Sequence, residues 1–237
     1  MITPNNSTPY QDINEVLDSL TRGIERILGE KLVGLYLTGS LSYGDFNPAS
    51  SDIDLVAVVR TPLTPGEIRL IADLHTSEGQ KFPRWAKRVE CSYLPIALLD
   101  HILPPQAPRP YTGEGIFYPE AGYGNEWIIN LYLQYEHGIT LVGTEFKLLT
   151  APIAIGEVQK ACIRDLFREW EPKLKTPEWL DNPHYQSYLV LNLCRIVYTV
   201  LRKATGSKTV SAAWMKSQYG EWSALIEAAE GWQYGEA

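Results

Sequence analysis

Residues 32–59 read Leu-Val-Gly-Leu-Tyr-Leu-Thr-Gly-Ser-Leu-Ser-Tyr-Gly-Asp-Phe-Asn-Pro-Ala-Ser-Ser-Asp-Ile-Asp-Leu-Val-Ala-Val-Val. The pattern predicts an apolar strand over Leu32–Leu37, a corner at Gly39 and Ser40, a polar connection, and a second apolar strand over Ile53–Val59. Side chains alternate faces along a strand, so Asp52 and Asp54 point to one side of the second one. Two carboxylates that close repel each other unless a cation lies between them, and Mg²⁺ favours carboxylate oxygens. Gly39 lets backbone approach a bound group. Ser40 offers a hydroxyl and an N–H at the start of a helix, where anions are favoured. By itself an Asp-x-Asp before an apolar run is commonly a solvated strand entrance. Its order after a strand and a Gly-Ser corner is the more demanding feature.

That order, Gly-Ser, an eleven-residue spacer from Ser40 to Asp52, then Asp-x-Asp, resembles the nucleotidyltransferase superfamily. Residues 88–94, Arg-Val-Glu-Cys-Ser-Tyr-Leu, predict another strand, with Glu90 and Ser92 on one face and Val89, Cys91 and Tyr93 on the other. A glutamate in an apolar strand needs a partner if it is buried. Beside the strand of Asp52 and Asp54, Glu90 completes a three-carboxylate metal cluster; on an edge strand it faces water.

The chain has 237 residues, enough for one large domain or two ordinary ones, and its 45% apolar and 21% charged content is that of a globular protein. A formal net charge of −7 argues against a general nucleic-acid binder, which needs a basic face, and favours cationic small molecules. Cys91, Cys162 and Cys194 are scattered in apolar stretches and predict buried free thiols rather than a disulfide framework or zinc site. No signal-peptide pattern and no long apolar span is present, so a soluble cytoplasmic protein is expected, with no membrane partner.

Along the chain, Ile13, Val16, Leu17, Leu20, Ile24 and Leu28 mark an amphipathic helix. Thr64-Pro65 opens another helix, running to Leu74 or beyond. Residues 104–125, rich in Pro and Gly, read as an irregular loop whose Tyr111, Phe117, Tyr118 and Tyr123 suit contact with a ligand. A helix over 126–136 and a short strand over 138–143 follow, and Thr150-Ala-Pro152 marks a domain boundary. Beyond it the periodicity is helical: 155–174, a break at 175–183, then 188–204, 209–219 with Ser207 as N-cap, and 222–232. The expected fold class is α+β, a mixed sheet flanked by helices over 1–150 and an all-α bundle over 151–237.

Taken together, the chain resembles the aminoglycoside adenylyltransferases that modify streptomycin and spectinomycin. The resemblance rests on Gly39, Ser40, Asp52, Asp54 and Glu90, on Leu-Asn-Leu-Cys-Arg-Ile-Val-Tyr (191–198), on Ser-Lys-Thr-Val-Ser-Ala-Ala-Trp (207–214), and on Tyr234. It implies a nucleotidyltransferase domain, a C-terminal helical domain, and an active site in the cleft between them. It further implies that Asp52 and Asp54, with Glu90, hold two Mg²⁺ ions on the ATP triphosphate, and that Glu90 is the catalytic base toward the acceptor hydroxyl. Gly39, Ser40, Ser51, Arg195, Lys208 and Tyr234 are implied to bind ATP. An arginine set among apolar residues, as Arg195 is, has either an anionic ligand or an internal ion pair as its partner.

Where those enzymes carry a run of acids to bind the drug, this chain has Asp181 followed by Asn182, His184, Tyr185 and Tyr188. Trp179 and Asp181 are the candidate residues for a cationic sugar. The expected partner is therefore a small, hydroxylated, cationic acceptor, bound by a monomer and without nucleic acid. Transfer to a protein or RNA, as in toxin–antitoxin systems, is the alternative. A non-catalytic nucleotide-binding module would be expected to lack one of the three acids, and all three are present.

Overall fold

The computed structural model describes residues 7–232. It is α+β, and its chain divides into two compact units. The first comprises residues up to Gly44, Ser51–Tyr123 and Leu133–Pro152; the second comprises Asp45–Ser50, Gly124–Tyr132 and the chain from Ile153.

In the first unit, α1 (Gln11–Leu28) buries Ile13, Leu17, Leu20 and Ile24 completely, the face expected from their spacing. Strand β1 (Leu32–Thr38) is buried along nearly its whole length and leads into a one-turn helix, α2 (Gly39–Ser42). Strand β2 (Ile53–Val59) returns antiparallel beside β1. Helix α3 (Pro65–Lys81) starts on a capping box: the Thr64 hydroxyl accepts the Glu67 N–H, and the Glu67 carboxylate accepts the Thr64 N–H. Lys31 lies 2.7 Å from the same carboxylate and holds it below the usual glutamate range. Helix α3 is the crossover to β3 (Val89–Pro95), which runs parallel to β2 as a βαβ unit requires.

The segment read from sequence as an irregular loop is instead a hairpin, β4 (Arg109–Gly113) and β5 (Ile116–Ala121). Glu114 and Gly115 both have positive φ, 54° and 77°, the geometry of a two-residue type I′ turn matched to the twist of its strands. Pro119 is tolerated because β5 is an edge strand, and Pro110 falls at the register shift between Arg109 and Tyr111. Helix α4 (Trp127–His137) passes from the second unit into the first and feeds β6 (Ile139–Gly143), which pairs with the free side of β1. The mixed sheet has the order β5-β4-β3-β2-β1-β6. Tyr36, fully buried on β1, donates its hydroxyl to the Thr144 carbonyl at 2.6 Å, and its ring occupies the space that a side chain at Gly34 would need.

The second unit contains helices only among its described residues. Helix α5 (Ile155–Asp165) continues through a π-turn (Leu166–Trp170) into α6 (Glu171–Lys173) and a 3₁₀ turn (Pro177–Asp181). Helix α7 (Pro183–Arg202) begins five residues earlier than its apolar run predicts. Asn182 caps it by accepting the His184 N–H at 3.0 Å, and Pro183 takes the first helical position, where no N–H is needed. Ser207 caps α8 (Lys208–Gln218) as expected, and α9 (Ser223–Glu230) ends the described chain. Two cores result, one around Val158, Cys162, Trp170 and Ile196, the other around Leu191, Cys194, Ala212 and Ile226. All three cysteines are free and buried. Among the described residues no helix is long and apolar enough to cross a membrane.

Candidate active site

The corner after β1 is set by Gly39, whose φ of +62° is a conformation that L side chains rarely adopt. Its missing side chain has a second purpose. A Cβ there would stand 1.9 Å from Asp54 Oδ2, so the space is taken by the carboxylate itself. Thr38 and Asp54 are cross-strand partners, which explains why the corner and the carboxylate meet. Ser40 lies in the α2 turn, and the Ser42 hydroxyl closes that turn on the Gly39 carbonyl at 2.8 Å.

On the other side of β2, Asp54 is in register with Glu90 of β3. The two carboxylates occupy neighbouring positions on one face because parallel pairing aligns Ile53 with Val89 and every following residue in step. Glu90 in turn hydrogen-bonds the Tyr111 hydroxyl, from the strand β4 that the sequence did not disclose. Burial, reinforced by the Glu90 and Asp54 charges, pushes the Tyr111 phenol far above its usual range, so it remains a hydrogen-bond donor. Gly113 leaves room for that hydroxyl, since a Cβ there would lie 2.4 Å from it. Arg109 stacks on Tyr111 and Tyr123 and donates from Nε to the Ser92 hydroxyl at 3.1 Å, fixing the same face of the hairpin.

Asp52 stands immediately before β2, and its Oδ1 lies 3.8 Å from Arg88 Nε. Arg88 is a buried guanidinium that also donates to the Ser51 carbonyl and covers the Trp85 ring at 4.5 Å. Its own carbonyl accepts the Ile53 N–H at 2.7 Å. Arg88 thus pins residues 51–53 from both ends. In the sequence Arg88 reads only as the start of a strand; an arginine two residues before a strand glutamate is the available signal. Among the described residues no group of three or more His, Cys, Asp and Glu side chains is gathered so as to hold a metal ion. The three acids are instead arranged as Asp54 beside Glu90, with Asp52 turned to Arg88. Carboxylate oxygens are hard donors of the kind that Mg²⁺ takes.

The remaining candidates lie in the second unit. Arg195, midway along α7, is half-buried and donates from Nε to the Gly206 carbonyl at 3.4 Å. Lys208 opens α8 with its ammonium 5.4 Å from the centre of the Tyr188 ring. Trp179 and Asp181 share the 3₁₀ turn before α7, but their settings differ. The Trp179 indole donates to the Lys173 carbonyl at 3.0 Å and packs on Trp170 and Tyr185, whereas Asp181 is exposed. Tyr234 lies outside the described residues.

A model of the nucleotidyltransferase domain matches residues 21–95, and a model of the aminoglycoside adenylyltransferase C-terminal domain matches residues 159–237. Spectinomycin 9-adenylyltransferase of Campylobacter jejuni is 28% identical over 217 residues, which is 86% of this chain and 77% of that protein. The crystal structure of the spectinomycin adenyltransferase AAD(9) from Enterococcus faecialis, with ATP and spectinomycin, shares the fold. Its TM-score is 0.69 at 19% identity, over 94% of this chain and 91% of that one. With two domains matched in chain order and Asp54 and Glu90 standing on the matched strands, the chain carries a nucleotidyltransferase domain followed by an aminoglycoside adenylyltransferase C-terminal domain and is an ATP-using adenylyltransferase.

Proposed function

We propose that the chain transfers AMP from ATP to a hydroxyl of a small aminocyclitol, with spectinomycin as the first acceptor to test. The observation that carries this is the register of Asp54 with Glu90 beside the Gly39 corner: two carboxylates, one of them held by Tyr111, at the end of the matched domain. The names of the two relatives supply the acceptor.

In this reading Gly39, Ser40 and Ser51 receive the triphosphate, and Arg195, Lys208 and Tyr234 contribute to nucleotide binding. Asp52, Asp54 and Glu90 would hold Mg²⁺, which when bound supplies charge neutralisation on the phosphates. The Tyr111 hydroxyl occupies one lone pair of the Glu90 carboxylate and so orients the group. The Glu90 carboxylate accepts the proton of the acceptor hydroxyl as its oxygen attacks the α-phosphorus. The new P–O bond forms as the bond from the α-phosphorus to the bridging oxygen breaks, and pyrophosphate leaves with that electron pair. Asp181 and Trp179 are proposed to meet the acceptor's amines.

Incubating the purified protein with MgATP and spectinomycin tests the assignment. A product heavier than spectinomycin by one adenylyl group, with one pyrophosphate released for each, supports it. Label from ATP appearing instead on protein or RNA in a lysate would replace it with the macromolecular reading. Streptomycin in a parallel reaction decides whether the acceptor range extends beyond spectinomycin.

A further inference from the structure

The face of the sheet opposite Glu90 carries a cavity of about 540 Å³ within the first unit. Val89 and Thr112 form its floor; they alternate with Glu90 and Tyr111 and therefore point the other way. Helix α3 contributes His75 and Glu78, the 82–87 segment contributes Phe82 and Trp85, and the hairpin contributes Phe117. The volume is that of a small-molecule site, and aromatic rings make up much of the wall.

The polar groups in this cavity are not equivalent. His75 is kept neutral, with burial lowering its pKa to about 4, and its Nε2 is engaged by the Tyr93 hydroxyl at 2.8 Å. Its ring stacks on Phe117 at 6.1 Å and so extends the aromatic wall. Glu78 differs. Its Oε1 accepts the Ser19 hydroxyl at 3.0 Å, but its Oε2 is buried and has no hydrogen-bond partner. A buried carboxyl oxygen without a donor is costly, and an occupant of the cavity that carries a donor would remove that cost.

We propose that this cavity is a binding site for a compact planar ring bearing an amine, distinct from the nucleotide site. The ring lies between the aromatic walls, and the Glu78 carboxylate turns toward it to accept the amine's hydrogen bond. An acid in place of the amine would meet a carboxyl group, so the site discriminates against anions of the same shape.

Tryptamine, indole and indole-3-acetate serve as probes, titrated into the whole chain with binding read by ligand-observed and protein-observed NMR. Tryptamine is expected to bind saturably at millimolar concentration or below, with resonances of residues 75–89 and 112–117 shifting. Indole should bind at least ~10-fold more weakly and indole-3-acetate not measurably, as loss of one charge-assisted hydrogen bond implies. Glu78→Gln, which keeps the size, should weaken tryptamine at least ~10-fold. Thr76→Trp, which places an indole at the cavity mouth from the exposed face of α3, should block all three. Asp54→Asn should leave tryptamine binding unchanged, separating this site from attraction of the cation to the acids of the active face. No saturable binding by the parent protein, equal binding of tryptamine and indole-3-acetate, or loss of binding in Asp54→Asn would each overturn the proposal. Equal affinity in parent and Glu78→Gln would do so too.

Discussion

Gly39 is the residue at which backbone geometry and chemistry are least separable. An alanine there has to adopt φ near +62°, which costs on the order of 1–2 kcal/mol, and its Cβ has to displace the Asp54 carboxylate. Gly39→Ala should therefore lower the melting temperature by several degrees and weaken MgATP binding together, in calorimetry on the folded fraction. A variant that loses stability but binds nucleotide like the parent would show that Asp54 is not a nucleotide-side group. Glu90 makes the complementary prediction. Glu90→Gln can still accept the Tyr111 hydrogen bond but cannot take a proton, so turnover should fall at least ~100-fold while MgATP affinity stays near parental. Near-parental turnover would move the base elsewhere.

Among the elements, α5 ends on a buried carboxylate, just before the π-turn. Asp165 accepts the Trp170 indole N–H at 2.7 Å, and burial is the main cause of a pKa raised to about 6, against 3.8 ordinarily. As pH falls, the folded protein takes up this proton first and the unfolded chain only near 4. The group therefore costs stability above about 6, and that cost disappears between about 6 and 4. Asp165→Asn can keep the indole hydrogen bond without the charge. It should be more stable than the parent near pH 8 by on the order of 1–3 kcal/mol in urea unfolding, the gap closing below about pH 4. A pH-independent gap, or a weaker variant at pH 8, would mean that Asp165 has an ionic partner.

The elements also show what the sequence could disclose. Strands β1, β2 and β3 and helix α1 were legible because each buries apolar residues in a regular pattern, and distinctive residues mark the end of β1, Gly39-Ser40, and the start of α3, Thr64-Pro65. The β4–β5 hairpin was not legible: Pro110 and Pro119 speak against strands, and they are tolerated because one falls at a register shift and the other on the edge strand. With the hairpin hidden, Tyr111 could be seen as an aromatic but not as the partner of Glu90. Arg88 was hidden for a similar reason, since its work is done on residues 51–53, far away in the chain. Asp54 and Glu90 were readable as acids on strands; their adjacency required the register.

For the molecule as a whole, the net charge of −7 opposes a bound triphosphate, so each cation near the nucleotide carries weight. Lys208 is a cleaner probe than Arg195, because Arg195 also braces the turn at Gly206 while the α8 cap rests on the Ser207 hydroxyl. Lys208→Ala should raise the MgATP dissociation constant by about 5–20-fold with unchanged helical content, the cost of one ionic hydrogen bond. An unchanged constant would remove Lys208 from the nucleotide site. The substitution is better made in the full chain than in a fragment ending at residue 150. Such a cut leaves Asp45–Ser50 and Gly124–Tyr132 without the remainder of their unit.

Strand β1, finally, is bonded on one side to β2, which follows it closely, and on the other to β6, which ends at Gly143. On the ribosome these partners do not arrive together. At about 5–20 residues per second, the hundred-odd residues between β1 and β6 take roughly 5–20 s to emerge. For that interval the nascent chain shows an almost wholly apolar edge, Leu-Val-Gly-Leu-Tyr-Leu, with one row of backbone groups not yet paired to a strand. Crowded polysomes bring many copies of that edge together. Yield of folded protein should consequently depend on translation rate and on chaperones that shield strand edges, and slow expression in the cold should favour it.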